Sequence, residues 1–197
     1  MSEYNNILSM VKNINIILAT TFNGGIGYKN KIPWNIPQEM KKFRKITREV
    51  NDKFKMNAII MGRKTWESLP VKPLGGRQNV IITSNLNFKC DEKAVVKNSI
   101  SDAIYYCNNN EVIENIFIIG GSTLYNQFIS SKTYHVNKIY LSVLFDKTIK
   151  TDNHIDLNQL IKRFDIEKDY DYLQECNSRL FASFICYNKT LHKKASI

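Results

Sequence analysis

Apolar and polar positions come in short blocks along this chain of 197 residues. Asn15 to Thr21 (NIILATT), Ala58 to Met61 (AIIM), Val80 to Thr83 (VIIT), Ile116 to Ile119 (IFII) and Lys138 to Leu144 read as buried strands, with Ala94 to Lys97 as a further short one. Between them the period changes to that of a helix. Over Gln38 to Thr47, Met40, Phe43 and Ile46 recur at helical spacing, cations fill the other positions, and Pro37 suits the first turn. Arg63 to Leu69 reads as a short helix after Gly62. Ser99, three residues before Asp102, has the spacing of a capping box and opens a helix to about Cys107, ahead of an Asn-rich turn at Asn108 to Asn110. Further helices open at Ser122 and, more weakly, cover Leu157 to Phe164. The last two strands, near Tyr170 to Glu175 and Leu180 to Tyr187, form a hairpin turning at Asn177 and Ser178.

Apolar strands alternating with helices predict an α/β fold: a single domain with a mixed, mostly parallel central sheet flanked by helices, closed by a C-terminal antiparallel hairpin. No repeat or linker interrupts it. Residues 1–188 read as the domain, and 189–197 as an unstructured basic tail or a linker remnant.

Composition narrows the class. With 43% hydrophobic and 11% aromatic residues the chain is not a disordered one. No apolar run approaches the ~18 residues of a membrane span, and the N-terminus lacks the charged and apolar regions of a signal peptide, so a cytoplasmic protein is expected. Cys90, Cys107, Cys176 and Cys186 form no C-x-x-C pair and read as reduced thiols. His135, His154 and His192 lack ligand spacing, so no metal is expected. The net charge of +10 is consistent with an anionic ligand, but most of it reads as a solvated lysine-rich face. No nucleic-acid motif accompanies it.

In such sheets ligands bind beyond the carboxyl ends of the strands, and three of those ends carry suitable chemistry. Ala58 to Met61 leads into Gly62, Arg63, Lys64 and Thr65, a candidate anion site. Val80 to Thr83 leads into Ser84 and Asn85, small donors that could share a phosphate with the first site if the strands are neighbours. Ile116 to Ile119 leads into Gly120, Gly121, Ser122 and Thr123, which matches neither dinucleotide nor P-loop fingerprint and serves equally as a packing device. The stretch Gly24 to Thr47 is rich in glycine, then proline and tryptophan, and holds the one conspicuous acid, Glu39. By itself Glu39 is either a solvated first-turn acid, the commoner case, or a buried carboxyl with a raised pKa.

These segments together resemble dihydrofolate reductase. The resemblance rests on Ile17-Leu18-Ala19, GIGYKNKIPWNIPQE, MGRKTWESLP, GGRQNVIITSN, IFIIGGSTLY and KIYLSV, in the family's order and spacing over nearly the whole chain. It implies NADPH-dependent reduction of 7,8-dihydrofolate, a cytoplasmic enzyme of one-carbon metabolism open to antifolates, and a monomer or the N-terminal part of a fusion with thymidylate synthase. It assigns Glu39 as the active-site acid at the pterin edge. Trp34 is the tryptophan that positions a water beside it. Ser142, where the family usually has Thr, supplies a supporting hydroxyl. Ile17, Leu18, Met40, Phe43, Leu69, Leu74 and Ile119 line the substrate, and Arg77 grips its α-carboxylate. Ala19, Ile26, Gly27, Ile32 and Ile119 lie on the nicotinamide side, with Ile32 in a mobile loop. Gly62, Arg63, Lys64, Thr65, Thr83 and Ser84 meet the cofactor's phosphates, Arg63 and Ser84 at the 2′-phosphate. Gly120 and Gly121 match a cis Gly-Gly peptide, followed by Ser122, Thr123, Leu124 and Tyr125.

The implied mechanism passes hydride to C6 of the pterin while N5 gains a proton. Glu39, covered by Met40, Phe43 and Trp34, is expected to hold a pKa above about 4.3. A same-fold reductase of riboflavin biosynthesis would leave Trp34, Glu39 and Arg77 unexplained together. A non-catalytic module would have lost Glu39, an arginine of the cofactor site or Gly120-Gly121, and all are present.

Overall fold

A computed structural model describes residues 11–176 and 179–192. In chain order they form β1 (Ile14–Thr21), β2 (Gly25–Gly27), α1 (Pro37–Arg48), β3 (Met56–Gly62), α2 (Arg63–Ser68), β4 (Arg77–Ile82), β5 (Ala94–Lys97), α3 (Ile100–Asn108) and β6 (Ile113–Ile118). Then follow α4 (Ser122–Ser130), β7 (Val136–Leu144), β8 (Asn153–His154), α5 (Leu157–Arg163), β9 (Phe164–Cys176), β10 (Arg179–Asn188) and α6 (Lys189–His192).

The main sheet has the order β5-β4-β3-β6-β1-β7-β10-β9. All pairings from β5 to β7 are parallel; β10 runs antiparallel to both β7 and β9. The expected mixed, mostly parallel sheet with a closing hairpin is therefore present, and the turn expected at Asn177 and Ser178 lies outside the described residues. β1 is central, and buried at seven of its eight positions because both faces are covered. One face carries a core of Ile16, Leu18, Ile60, Ile118, Tyr125, Phe128 and their neighbours. The other carries Ile17, Ile59, Met61, Trp66, Phe117 and Ile119, onto which Phe43 and Ile46 of α1 pack.

The expected strands and helices appear with shifted ends. β4 starts three residues before the apolar run because Arg77, Gln78 and Asn79 pair in register with Asn57, Ala58 and Ile59. β9 begins at Phe164, well before the expected Tyr170. The tail is not wholly irregular: Lys189–His192 makes one helical turn, and 193–197 lie outside the described residues. The ribbon of β2 with β8 has no counterpart in the sequence reading, since its two short pieces carry no apolar alternation. Gly24 there has φ +87°, and Thr151 occupies the space a Cβ on Gly25 would need. Ser99 does cap α3, its side chain accepting from the Asp102 N–H at 3.0 Å.

Buried asparagines tie the layers together. Asn57 on β3 is fully buried; its Nδ2 donates to the carbonyls of Thr47 (3.2 Å) and Glu49 (2.7 Å) at the end of α1. Its Oδ1 accepts from Asn115 N and Nδ2, both at 3.1 Å. Asn79 likewise donates to Leu74 O and Arg77 O, and accepts from the Leu74 N–H. These bonds satisfy loop backbone that apolar packing could not.

Asn57→Ala leaves several buried backbone groups unpaired. It is expected to destabilise the fold by about 2–4 kcal/mol, read as a lower urea midpoint at unchanged m-value. A loss below about 0.5 kcal/mol would place it among ordinary surface changes.

Candidate active site

α1 begins with Pro37 in its first turn and lies against the sheet face that carries Ile17. Its buried residues are Glu39 and Thr47, with Phe43 and Ile46 half-buried between them. The inward face therefore differs from the apolar stripe read in the sequence. Met40 is 50% exposed, on the solvent side of the helix, and the shielding of Glu39 comes from elsewhere.

Ile17, Lys42, Phe43, Ile46, Tyr140, Leu141 and Ser142 surround Glu39 in a cavity of about 10 Å³, the space of one water molecule. Register explains the gathering: Tyr140 and Ser142 of β7 stand opposite Ile17 and Ala19 of β1, so all four point to the face that α1 covers. Burial drives the Glu39 pKa up to about 7, against the opposing pull of the Lys42 ammonium. Among the described residues no side chain ion-pairs with it. The first-turn acid is thus the buried, perturbed one.

Trp34 is buried with Ile36, Leu144 and Phe181, and Ala19 packs on that group. It stands outside the wall of the Glu39 cavity and instead lines an open hollow with Tyr28 and Ile32. Leu18 departs from its expected place. Its side chain joins the core on the far face, with Ile16 and Leu141, so only its backbone faces the crevice. Ser183 lies opposite Ser142 on β10, fully buried, with no hydrogen-bond partner for its Oγ among the described residues.

Arg77 lies at the other end of α1. Its Nη1 donates to Thr47 Oγ1 at 2.8 Å, its Nε to Gly75 O at 3.3 Å, and its guanidinium carbon stands 5.8 Å from the Phe43 ring centroid. Leu69 and Leu74 pack beside Phe43 on the same core. Glu39, Phe43 and Arg77 thus follow one helix edge.

The strand ends on the opposite side of β1 also converge. β4, β3 and β6 are consecutive in the sheet, so Thr83 and Ser84, Gly62 to Thr65, and Ile119 to Thr123 form one row. The condition set by the sequence, that β3 and β4 be neighbours, is met. The Gly62 N–H donates to Gly120 O at 2.9 Å. Gly120-Gly121 is a cis peptide, and Gly120 has φ +116°. A Cβ there would come within 3.2 Å of the Tyr125 ring, so glycine is required. Tyr125 is buried and its hydroxyl donates to Ile17 O at 2.9 Å, bonding α4 to β1 across the crevice. Burial, with the Glu39 charge second, pushes its pKa up.

Thr83 Oγ1 accepts from the Asn85 N–H, which shapes the turn that exposes Ser84. Leu124 is buried in the core, while Ser122 and Thr123 remain accessible. Arg63 is not free: its Nη1 pairs with Glu67 at 2.7 Å, one helical turn away. Ile26 packs on the core edge, Gly27 belongs to β2, and Ile32 is 60% exposed. The loop carrying them is fastened by Asp152, whose carboxylate accepts from the Lys29 N–H at 2.8 Å and whose N–H donates to Gly27 O.

Several of these groups escaped the sequence reading. Lys42 and Glu67 had a legible signal, lying three residues after Glu39 and four after Arg63. Tyr140, Thr47, Asp152 and Ser183 had none, because what they face is remote in the chain.

Among the described residues no helix is long and apolar enough to cross a membrane. A family model described as dihydrofolate reductase matches residues 13–189. Over 163 residues the chain is 39% identical to dihydrofolate reductase of Buchnera aphidicola subsp. Baizongia pistaciae, covering 80% of this chain and 89% of that one. It is 38% identical over 126 residues to bifunctional dihydrofolate reductase-thymidylate synthase of Daucus carota, covering 59% of this chain but only 23% of that longer protein. The fold matches Schistosoma mansoni dihydrofolate reductase with a TM-score of 0.76 at 25% identity, covering 90% of this chain and 98% of that one.

A raised carboxyl pKa has a stability signature. The unfolded chain releases the Glu39 proton near the ordinary value of 4.5, the folded chain near 7. Above pH 4.5 the fold therefore loses stability, progressively up to about pH 7, after which the loss is constant. Glu39→Gln removes that loss. Relative to wild type it should gain about 2–3 kcal/mol more at pH 8 than at pH 5 in urea unfolding. A difference independent of pH would mean that Glu39 is solvated.

Proposed function

We infer the function of this chain from its kinship: it belongs to the dihydrofolate reductase family, and it is an oxidoreductase that reduces 7,8-dihydrofolate to 5,6,7,8-tetrahydrofolate. That product supports one-carbon metabolism and hence thymidylate and purine synthesis. The observation that carries the reading to residues is Glu39, a carboxyl group with a pKa of about 7 in a crevice walled by Ile17, Phe43, Ile46 and Tyr140 with Lys42 and Ser142.

Glu39 is the group that receives the polar edge of the pterin. Near neutral pH it holds or releases a proton at its carboxyl oxygen with little driving force either way, the condition for efficient acid–base work. In its ionised state it favours protonation of the ring at N5, through water, since the edge it binds is remote from N5. Ser142 presents a hydroxyl beside the acid and keeps the donor and acceptor capacity of the family's usual Thr. Ile17 and Phe43 exclude bulk water, which strengthens every charge effect at the acid. Phe43, Leu69 and Leu74 extend the apolar wall along the substrate, and Arg77 ends it with a cation for the glutamate α-carboxylate. Trp34 and the loop with Ile32 cover the far side.

NADPH is the proposed donor, and when bound it supplies the hydride that reaches C6. The residues present fit it. The Gly120-Gly121 turn carries no side chain: a Cβ on Gly120 would stand 3.2 Å from the Tyr125 ring, while one on Gly121 would make only ordinary contact with Thr65 Oγ1 at 3.4 Å. Arg63, Lys64, Thr65 and Ser84 follow the ends of the neighbouring strands β3 and β4 and would supply cations and hydroxyls to the phosphates. Ala19, Ile26, Gly27, Ile119 and Tyr125 lie toward the nicotinamide end. Every proposed site residue falls within 13–189, so the activity is proposed to reside in this chain, with or without a partner domain. Loss of NADPH absorbance on mixing the recombinant chain with dihydrofolate tests this directly.

Glu39→Gln should lower hydride transfer at pH 7 by roughly 10²–10⁴. Part of the rate should return below pH 6, where solvent protonates the substrate, while NADPH affinity stays near wild type. A wild-type rate at pH 7 would remove Glu39 from the mechanism.

Arg63→Ala should raise the NADPH KM about tenfold or more by removing a charge-assisted contact worth roughly 1.5–3 kcal/mol, and leave NADH use nearly unchanged. Glu67→Gln frees Arg63 from a surface pair worth up to about 1 kcal/mol, so the NADPH KM should fall by up to about fivefold. Equal effects on NADH would place Arg63 away from the 2′-phosphate.

A further inference from the structure

Among the described residues the buried side-chain donors and acceptors are paired, with one exception. Thr47, Asn57, Asn79 and Asn188 all bond to backbone carbonyls. Ser183 is 1% exposed, and its Oγ is the buried side-chain oxygen left without a partner. An unpaired hydroxyl is costly to bury, and alanine would fill the same place without that cost.

This hydroxyl lies next to the acid's own support. Ser183 on β10 stands opposite Ser142 on β7, and Ser142 and Glu39 line one cavity. The ladder fixes how near the two serines come. The Phe145 N–H donates to Leu180 O at 3.0 Å, so Phe145 and Leu180 are a hydrogen-bonded pair. Pairs alternate along an antiparallel ladder, which makes Ser142 and Ser183 a pair of the other kind, with Cα atoms about 4.5 Å apart and side chains closest. Two hydroxyls so placed come within hydrogen-bonding reach by a change of one staggered χ1 well. Residues opposite each other share a side of the sheet, so Ser183 is on the side that α1 covers. Phe181 and Ile185 flank it there on β10. Its ladder with β9 skips it, passing from Ala182 opposite Leu173 to Phe184 opposite Lys168.

We propose that Ser183 is a positioning residue for the reaction: its hydroxyl donates to Ser142 Oγ, which leaves the Ser142 proton to point at the Glu39 carboxylate. The proposal rests on the reading of this cavity as the pterin site. A serine hydroxyl has one proton and two lone pairs. Held by its own torsion alone, Ser142 has three staggered wells, whereas the threonine usual at this place in the family is stiffened by its methyl group. A donor from β10 supplies the missing constraint. The relay favours the ionised acid, because a hydrogen bond to a carboxylate stabilises its charged form and each hydroxyl polarises the next. The other titratable groups around Glu39 are Lys42 of α1, which also favours the ionised form, Tyr140 of β7 and Tyr125 of α4.

The test removes this hydroxyl alone. The Glu39 carboxyl is titrated by carbon NMR in the full chain without ligands, its signal identified by its loss in Glu39→Gln. The kcat and KM values are measured across the same pH range. In Ser183→Ala the Glu39 titration should move up by about half a pH unit, one hydrogen bond felt through another. The pH profile of kcat/KM for dihydrofolate should move with it, and at pH 7 kcat/KM should fall about threefold. The KM for NADPH should keep its wild-type value. Ser183→Thr retains the hydroxyl and should restore both properties; Ser183→Val has the same shape without it and should not. An unchanged titration and unchanged kinetics in Ser183→Ala, with a raised urea midpoint, would mark an idle unpaired hydroxyl and overturn the proposal. Rescue by valine equal to that by threonine would overturn it as well, since volume would then be the cause. A shifted titration in a chain that does not turn over dihydrofolate keeps the relay to Glu39 and overturns the enzymatic reading. Normal turnover with no shift does the reverse.

Discussion

Glu39 and Thr47 face the sheet from a helix whose outward side carries Met40 and several cations. Burying a carboxyl group costs free energy, which surfaces as its pKa of about 7. The rest of the structure is arranged so that the helix nevertheless lies this way. Phe43 and Ile46 supply the apolar contact between the two polar groups. Asn57 receives the end of the helix through the carbonyls of Thr47 and Glu49. Thr47 in turn accepts from Arg77, so one face fixes both the buried acid and the buried guanidinium.

The order of strands then divides the labour. β1 runs through the middle, with β6, β3 and β4 on one side and β7 on the other. The first three end in glycines, hydroxyls and cations; the last contributes Ser142 beside the acid. The two halves touch through the Tyr125 hydroxyl on the Ile17 carbonyl. The two sides are rigid elements of one sheet, while the loop before α1 is fastened by Asp152, through its carboxylate to the Lys29 N–H and its own N–H to Gly27 O.

The polar residues that hold this frame are mostly short. Asn57, Asn79 and Thr47 do by hydrogen bonds what larger apolar residues do elsewhere, since each serves backbone at the end of an element. The abundance of asparagine in this chain is thus partly structural.

By itself the sequence determined what depends on local pattern. Apolar runs such as NIILATT and AIIM specify strands because a buried strand must be apolar on both faces, and Pro37 and Ser99 mark helix starts through backbone chemistry at those positions. The order of motifs from GIGYKNKIPWNIPQE to KIYLSV carried the family. Only the tertiary structure decided which face of α1 turns inward, since Met40 is as apolar as Phe43 and the choice rests on contacts from Ile17, Tyr140 and Asn57. It also decided that Leu18 faces away, that β2 pairs with β8, and that Arg63 is engaged by Glu67. Whether a carboxyl group in the first turn of a helix is solvated or buried is set by what lies across from it, and what lies across Glu39 comes from strands some twenty and a hundred residues away in the chain.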